Sequence, residues 1–375
     1  MTKKRVVIAR SNGVNPDSRV EKEADALAKA GFEVVVVAWN RDRNYRIRED
    51  VLKLPDAEVK RVSFGIKAGF GLGKKILKQY LLFQFRLFAW LVRNRKSYDI
   101  VHLCDFDTAF FGSWAARICR KKTVFDVFDY LSTDARTFFR RLVKKAEDGL
   151  IDDADAVIIC TEERKKQIAG TKPKRLEVIH NTPPPFAPSK RDEGGERVKI
   201  AYVGILQDHR LLAEMVGAVE KMDDVELHIG GFGKYEDYVE SRAKASPNIF
   251  YYGKLPYEKT LELEARCDVM TAIYDPAIGN HRFAAPNKFY EALMLGKPLV
   301  MARGTGMSEV VEAENLGVLI DYGAEGFAKG VAELIRNRDQ WEKTGERMKK
   351  LYKERYSWEE MERRLVALYE EVATA

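Results

Sequence analysis

Short apolar runs alternate along this chain with segments whose apolar residues recur every three or four positions. Val6–Arg10 reads as a first strand. Arg19–Ala30 reads as a helix, with Val20, Ala24, Leu27 and Ala28 on one face. Gly31 stops that helix, and Glu33–Trp39 (EVVVVAW) follows as a buried strand. Ile100–Cys104, Thr123–Val127, Ala156–Cys160 and Leu176–Ile179 are further apolar runs, most of them separated by helical patterns. Runs buried on both faces and alternating with helices predict a parallel sheet covered on each side. The pattern breaks at Thr182–Pro188, which holds four prolines, and at the polar segment Lys190–Glu196, the expected linker. It then restarts. Lys199–Gly204, Val225–Gly230, Ile249–Gly253, Val269–Tyr274, Pro298–Ala302 and Val318–Asp321 are the expected strands. Helices are expected near 210–221, 234–244, 257–265, 287–295 and 324–336, and a last one at Trp358–Val372. The fold class is therefore α/β: two doubly wound Rossmann-like domains facing a central cleft, with ligands at the carboxyl ends of the strands.

A length of 375 residues agrees with two cores rather than one. Hydrophobic residues at 46% and charged residues at 32% exclude a disordered chain. No apolar run approaches the roughly 20 residues that cross a bilayer. The apolar part of the basic N-terminus is too short for a signal peptide. Cys104, Cys119, Cys160 and Cys267 are far apart, so neither a disulfide framework nor a cysteine zinc site is expected, and a reducing cytoplasm is the expected setting. Five histidines without metal-binding spacing lead to the expectation of no catalytic metal. The overall charge of +7 is unevenly divided. Residues 1–190 carry 38 basic and 24 acidic side chains, a net +14, whereas residues 191–375 carry 26 and 33, a net −7. The basic half should favour an anionic partner.

The most informative segment is Ala285–Val300 (APNKFYEALMLGKPLV). Pro286 suits a helix start, and Gly296 ends the helix before Pro298 opens a strand. With Phe289, Leu293 and Met294 turned inward, Lys288 and Glu291 lie three apart on one face. A carboxylate there can accept hydrogen bonds from a ribose diol, and a lysine beside a helix start can offset phosphate charge. An ordinary surface ion pair has the same residue types, so both readings stay open on composition alone.

This segment resembles the donor-binding signature of family 4 glycosyltransferases. Other segments agree. Asn15–Ala24 resembles the loop and first helix of one branch, Tyr98–Asp105 resembles the family's Asp-Val-Val-His strand, and Tyr356–Glu359 with Tyr369 resembles its closing helix. The resemblance covers nearly the whole chain and implies the GT-B fold, with a nucleotide-diphosphate sugar as donor substrate and no cofactor. It assigns Glu291 to the ribose and Lys288, with neighbouring Asn287, to the donor. It departs from the family at three places. The first glutamate of the fuller signature is Phe283, leaving Asn280 or His281 near the sugar. The usual phosphate arginine is Ile205, while Arg210 stands where a lysine would serve the diphosphate. The usual histidine of the first domain is Phe128, so Asp129, Asp105 and His102 are the candidates for catalytic or acceptor contacts. Glycine loops Ser11–Gly13, Gly230–Gly233 and Gly304–Met307 follow strands; among them Gly13, Gly306 and Met307 are expected at the donor. None has the spacing of a dinucleotide fingerprint.

One stretch, residues 59–98, has ten basic side chains and no Asp or Glu, with Trp90 and several phenylalanines among them. Those are the ingredients of a helix lying at an anionic membrane surface, and equally of a buried helix with a solvated basic face. Single-stranded nucleic acid is disfavoured because no nucleic-acid module accompanies the stretch.

The expected division is 1–185 for an acceptor domain, 195–356 for the donor domain, and a closing helix at 357–375 returning to the first. The expected function is sugar transfer to an acceptor hydroxyl, retaining and metal-independent by resemblance, with a glycan or lipid-linked acceptor. The expected location is the cytoplasm, peripheral at the membrane face. A nucleotide-sugar epimerase of related fold, or a non-catalytic membrane or nucleic-acid binding protein, are the alternatives.

Overall fold

The computed structural model describes residues 4–69, 76–130, 137–188 and 196–374. The chain forms two compact units, Met1–His180 with Met361–Ala375, and Asn181–Glu360.

The first unit holds β1 (Arg5–Arg10), α1 (Ser18–Lys29), β2 (Glu33–Asn40), β3 (Tyr45–Lys53), β4 (Glu58–Gly65), α2 (Leu77–Arg93), β5 (Ile100–Cys104), α3 (Phe106–Cys119), β6 (Lys122–Val127), α4 (Phe138–Asp153), β7 (Ala156–Ile159), α5 (Arg164–Gln167) and β8 (Leu176–Val178). Its sheet runs β3-β4-β2-β1-β5-β6-β7-β8. Every pairing is parallel except β3 with β4, which is antiparallel. The expectation of a wholly parallel sheet thus fails at one edge. Edge strand β3 escaped the apolar-run reading because it is solvated, with only Leu52 buried, and β4 (EVKRVSFG) because its buried Val59, Val62 and Phe64 are interrupted by charged residues rather than forming a run.

Alternation along each strand sorts the two faces. Val101 and Leu103 of β5, and Phe125 and Val127 of β6, join one core with Phe83, Leu87 and Leu91 of α2, Ala115 and Ala116 of α3, and Ile151 of α4. His102 and Asp126 therefore point to the opposite face, toward α1. There Arg19 forks onto Asp126 (Nη2 to Oδ1 2.7 Å, Nε to Oδ2 3.1 Å) and donates through Nη1 to the Ile179 carbonyl at 2.9 Å. Glu23 lies 3.1 Å from Arg19, one turn along. The Tyr369 hydroxyl of the last helix (Trp358–Thr374) sits 2.6 Å from His102 Nδ1. His180 N donates to Met361 Sδ. The last helix is therefore held to this unit by buried polar contacts as well as by packing.

The second unit holds β9 (Val198–Ile205), α6 (Leu212–Val219), β10 (Val225–Phe232), α7 (Glu236–Ala245), β11 (Ile249–Tyr251), α8 (Tyr257–Arg266), β12 (Val269–Ala272), α9 (Asn287–Leu295), β13 (Leu299–Ala302), α10 (Ser308–Ala313), β14 (Gly317–Ile320), α11 (Ala324–Arg336) and α12 (Trp341–Leu351). Its six strands are all parallel, in the order β11-β10-β9-β12-β13-β14. The order reverses beside β9, where β10 leaves to one side and β12 to the other, and such a switch point opens a crevice at the strand ends. The proline stretch expected as a linker is pinned to this unit over its described part. Thr182 is fully buried, and the Tyr352 hydroxyl donates to the Pro183 carbonyl at 2.7 Å. Residues 189–195 of the expected linker lie outside the described residues.

Candidate functional site

In the second unit the carboxyl ends of β9, β12 and β13 converge on the start of α9. Pro286 is the N-cap of that helix and Gly296 its left-handed C-cap (φ 69°), as Pro and Gly commonly are at such ends. Lys288 points back to the end of β9. A Cβ on Gly204 would lie 2.5 Å from Lys288 Nζ, so the missing side chain is what admits the ammonium to the strand end. The ammonium sits 5.3 Å from the centre of the Tyr202 ring. Burial alone would push its pKa down. The Tyr274 and Tyr202 hydroxyls and the carboxyls of Glu291 and Glu264 outweigh that and hold it above the ordinary value, so Lys288 stays charged.

Glu291 follows one turn later and is 4% exposed. Tyr257, at the start of α8, donates to Glu291 Oε1 at 3.0 Å. Glu264, from the same helix, is buried nearby. Burial, then the charge of Glu291, pushes its pKa well up. The arrangement is a buried carboxyl group, oriented by a tyrosine, beside one charged lysine.

Arg210 lies in the loop between β9 and α6. Its neighbours His209 (φ 64°) and Leu211 (φ 56°) both occupy the left-handed region, which L residues seldom adopt. The guanidinium carbon stacks 3.8 Å over the Tyr274 ring. Nη1 lies 3.2 Å from His281 Nε2. His281 Nδ1 faces the Asp275 carbonyl at 2.9 Å and must donate to it, leaving Nε2 as acceptor for the arginine. Burial, with the Arg210 charge adding to it, lowers the His281 pKa below its ordinary 6.5, which favours that neutral ring. Gly306 closes the region. A Cβ there would meet the Ala284 carbonyl oxygen at 1.7 Å, and its N–H donates to the His281 carbonyl at 3.1 Å. Asn287 is exposed, with Oδ1 accepting from Asn181 Nδ2 at 3.1 Å.

The sequence therefore located Lys288, Glu291, Arg210, Asn287 and Gly306 at one strand edge. Met307 is a correction: its side chain is 2% exposed and packs into the core, so it has no face for a ligand. Phe283 stands in a short 3-10 turn (Gly279–Phe283) and is partly buried. Tyr257, Tyr274 and Glu264 were missed. A tyrosine at a helix start and a glutamate inside an amphipathic helix carry no local signature, and only packing of α8 against α9 brings them to Glu291.

The first-unit candidates separate more sharply. His102 is fully buried among Arg19, Glu23, Asp126 and Tyr369, so it braces the fold and cannot touch a substrate. The ligand atoms of Glu23, His102 and Asp126 lie within 4.8 Å of one another, but Arg19 already covers both oxygens of Asp126. Asp105 is also a correction. Its Oδ1 accepts from the Phe128 and Asp129 backbone N–H groups, both at 2.9 Å, and its Oδ2 accepts from Arg10 at 2.6 Å, so its lone pairs hold the loop after β6. Asp129, in that loop, has a 76% exposed side chain touched by Arg164 at 3.3 Å, and is the candidate left free to meet a ligand. Phe128 lies beneath two guanidinium groups, Arg10 at 4.2 Å and Arg19 at 4.6 Å. Gly13 has open space where a Cβ would stand, so glycine is not required there for close approach; its carbonyl accepts from Arg61 at 2.9 Å.

Comparison with known proteins agrees with this layout. Residues 18–182 match the family model Glycosyltransferase Family 4, and residues 197–337 match Glycosyl transferases group 1. The fold is similar to sucrose-phosphate synthase of Thermosynechococcus elongatus, with a TM-score of 0.75 at 14% identity over 99% of this chain and 100% of that one. The chain belongs to the GT-B glycosyltransferases. This glycosyltransferase is similar also to Anabaena Alr3699/HepE, solved in complex with UDP and glucose (TM-score 0.70, 14% identity, 99% and 100% coverage). A third similar structure is the lipopolysaccharide outer core galactosyltransferase WaaB in its apo form (0.64, 15%, 99% and 99%). A search of curated protein sequences finds no match.

Proposed function

We propose that this glycosyltransferase moves a sugar from a nucleotide-diphosphate sugar to an acceptor hydroxyl, with the donor held by the second unit. The observation that carries the reading is the meeting of Glu291, Lys288 and Arg210 at the switch point of that unit's sheet. The Glu291 carboxylate, aligned by Tyr257, takes the two ribose hydroxyls as donors. Lys288 and Arg210 meet the diphosphate, and their charge offsets the negative charge that builds on it as the glycosidic bond breaks. Arginine presents paired N–H groups to phosphate oxygens and lysine a point charge, so the two divide orientation and neutralisation between them.

The transfer forms a bond from the acceptor oxygen to the anomeric carbon and breaks the bond from that carbon to the diphosphate. The acceptor proton passes to the leaving phosphate oxygen, a course that retains anomeric configuration and needs no protein nucleophile. Acceptor binding is assigned to the first unit, on its net positive charge and the exposed Asp129. A glycan or lipid-linked acceptor suits that charge.

A thermal-stability screen with uridine and guanosine diphosphate sugars tests the donor assignment, since a ligand bound only by the folded state raises stability. Turnover is then followed with and without candidate acceptors. Sugar transfer that requires an acceptor is expected. Conversion of the nucleotide sugar without any acceptor would assign the chain to epimerisation instead, and absence of any nucleotide-sugar binding would refute the enzyme reading.

A further inference from the structure

The helices α2, α3 and α4 lie side by side on one face of the first unit's sheet, joined through a common core. Their outward sides are unusually apolar for a solvated surface. On α2, Leu77, Leu81 and Phe85 are 54%, 50% and 62% exposed, at positions four apart that form one stripe. On α3, Trp114 and Ile118 continue it at 54% and 66%, again four apart. On α4, Phe138 and Leu142 do the same at 78% and 50%. The first two stripes are linked by rings: Phe88 of α2 meets Phe111 of α3 edge-on at 6.5 Å, and Phe111 meets Trp114 at 5.7 Å.

The charge beside these stripes is mainly basic. Residues 77–93 contain no Asp or Glu and carry three basic side chains; α3 holds Arg117 and, in its first turn, Asp107; α4 carries four basic side chains over its first two turns and Glu147, Asp148, Asp152 and Asp153 toward its end, where Asp153 shares a pocket with Trp114 and Arg117. Among the basic side chains Lys78, Arg93, Arg117, Arg140, Arg141 and Lys145 are exposed. No described helix is long and apolar enough to cross a membrane. Large apolar side chains flanked mainly by cations are matched by an interface with anionic headgroups outside and acyl chains just beneath.

We propose that the outer faces of α2, α3 and α4 form one docking surface for an anionic phospholipid bilayer. The exposed apolar side chains enter the headgroup boundary, and the basic side chains meet the phosphates. The surface is both smaller and wider than the basic stretch of residues 59–98. It leaves out β4 and the core side chains Phe83, Leu87, Leu91 and Tyr98, which are buried, and it adds α3 and α4. A second copy of the chain is disfavoured because pairing this face with itself would bring cations together. The proposal is independent of sugar transfer.

The test is sedimentation of the full chain with vesicles of phosphatidylcholine alone, and of phosphatidylcholine mixed with phosphatidylglycerol. Binding to the mixed vesicles, weakened by salt, is expected, with little binding to the neutral ones. R140E/R141E removes two attractions and adds two repulsions and should weaken retention by about tenfold or more. F85S/F138S should weaken it through the apolar side. All four positions are exposed, so melting temperatures should be unchanged, and a variant that does melt early is replaced by K78E/R93E. Equal recovery from both vesicle types, or retention unmoved by these changes, overturns the proposal. A dimer in sedimentation velocity that F85S/F138S disperses, without vesicle binding, also overturns it in favour of self-association.

Discussion

Glu291→Ala separates the two tasks assigned to the second unit. In the wild type the carboxylate is 4% exposed and takes the Tyr257 hydroxyl at 3.0 Å on Oε1, so its position is set before ligand arrives. A ribose diol donating to it makes two hydrogen bonds to a charged acceptor. Net of competition with water, their loss should cost about 2–4 kcal/mol, some 30- to 1,000-fold in Kd. Calorimetry should therefore show uridine or guanosine diphosphate binding weakened by that factor. Inorganic pyrophosphate has no ribose. Its affinity should stay level or tighten, because removing Glu291 leaves the Lys288 charge less compensated. Glu291→Gln keeps one carbonyl acceptor and should fall between. Tyr257→Phe leaves the carboxylate in place but unaligned, and should cost the nucleotide less than about tenfold. The alanine variant also removes the acceptor of the Tyr257 hydroxyl; Tyr257 is 47% exposed and can turn to water, so the cost to stability should stay within about 1 kcal/mol. If pyrophosphate and nucleotide weaken together, or if neither changes, Glu291 does not hold the ribose and the donor geometry argued above is wrong.

Arg19→Met should destabilise the first unit by about 3–5 kcal/mol, because Asp126 is left as a buried, uncompensated charge; adding Asp126→Asn should recover part of the loss in denaturant titrations. Gly306→Ala should lower the melting temperature of the second unit, at a cost of about 2–4 kcal/mol, since its Cβ falls 1.7 Å from the Ala284 oxygen and backbone must move. A calorimetric trace unchanged from wild type would refute that close approach. His281 titrates below its ordinary 6.5. Between that lowered value and 6.5 the unfolded chain binds more protons than the folded one, so its contribution to stability is full above 6.5 and is lost as pH falls through the folded value. His281→Gln, which retains an acceptor for Arg210, should flatten stability against pH in that window, and an unaltered slope would exclude a lowered His281 pKa.

Much of this protein was decided locally, by the spacing of its residues. Repeated apolar runs and intervening helical periods determined two parallel-sheet layers, because strands buried on both faces leave no other reading. The Pro286–Gly296 bracket determined a helix that carries Lys288 and Glu291 on one side, and that spacing survives folding because it is a property of the helix itself. Strand β3 was illegible because a solvated edge strand has no apolar run to see, and β4 because charged residues interrupt its buried positions.

What only tertiary structure decided was which polar groups remain free. His102, Asp105 and Asp129 are all at or near strand ends in sequence. Folding surrounds His102 with α1 and the last helix, exhausts both oxygens of Asp105 on Arg10 and two backbone N–H groups, and leaves only Asp129 open. It likewise brings Tyr257 and Glu264 to Glu291 from about 30 residues away in sequence, and Tyr274 and His281 to Arg210 from more than twice that. A side chain's availability is the sum of its neighbours' hydrogen bonds, and those neighbours come from distant segments, so no local pattern encodes it.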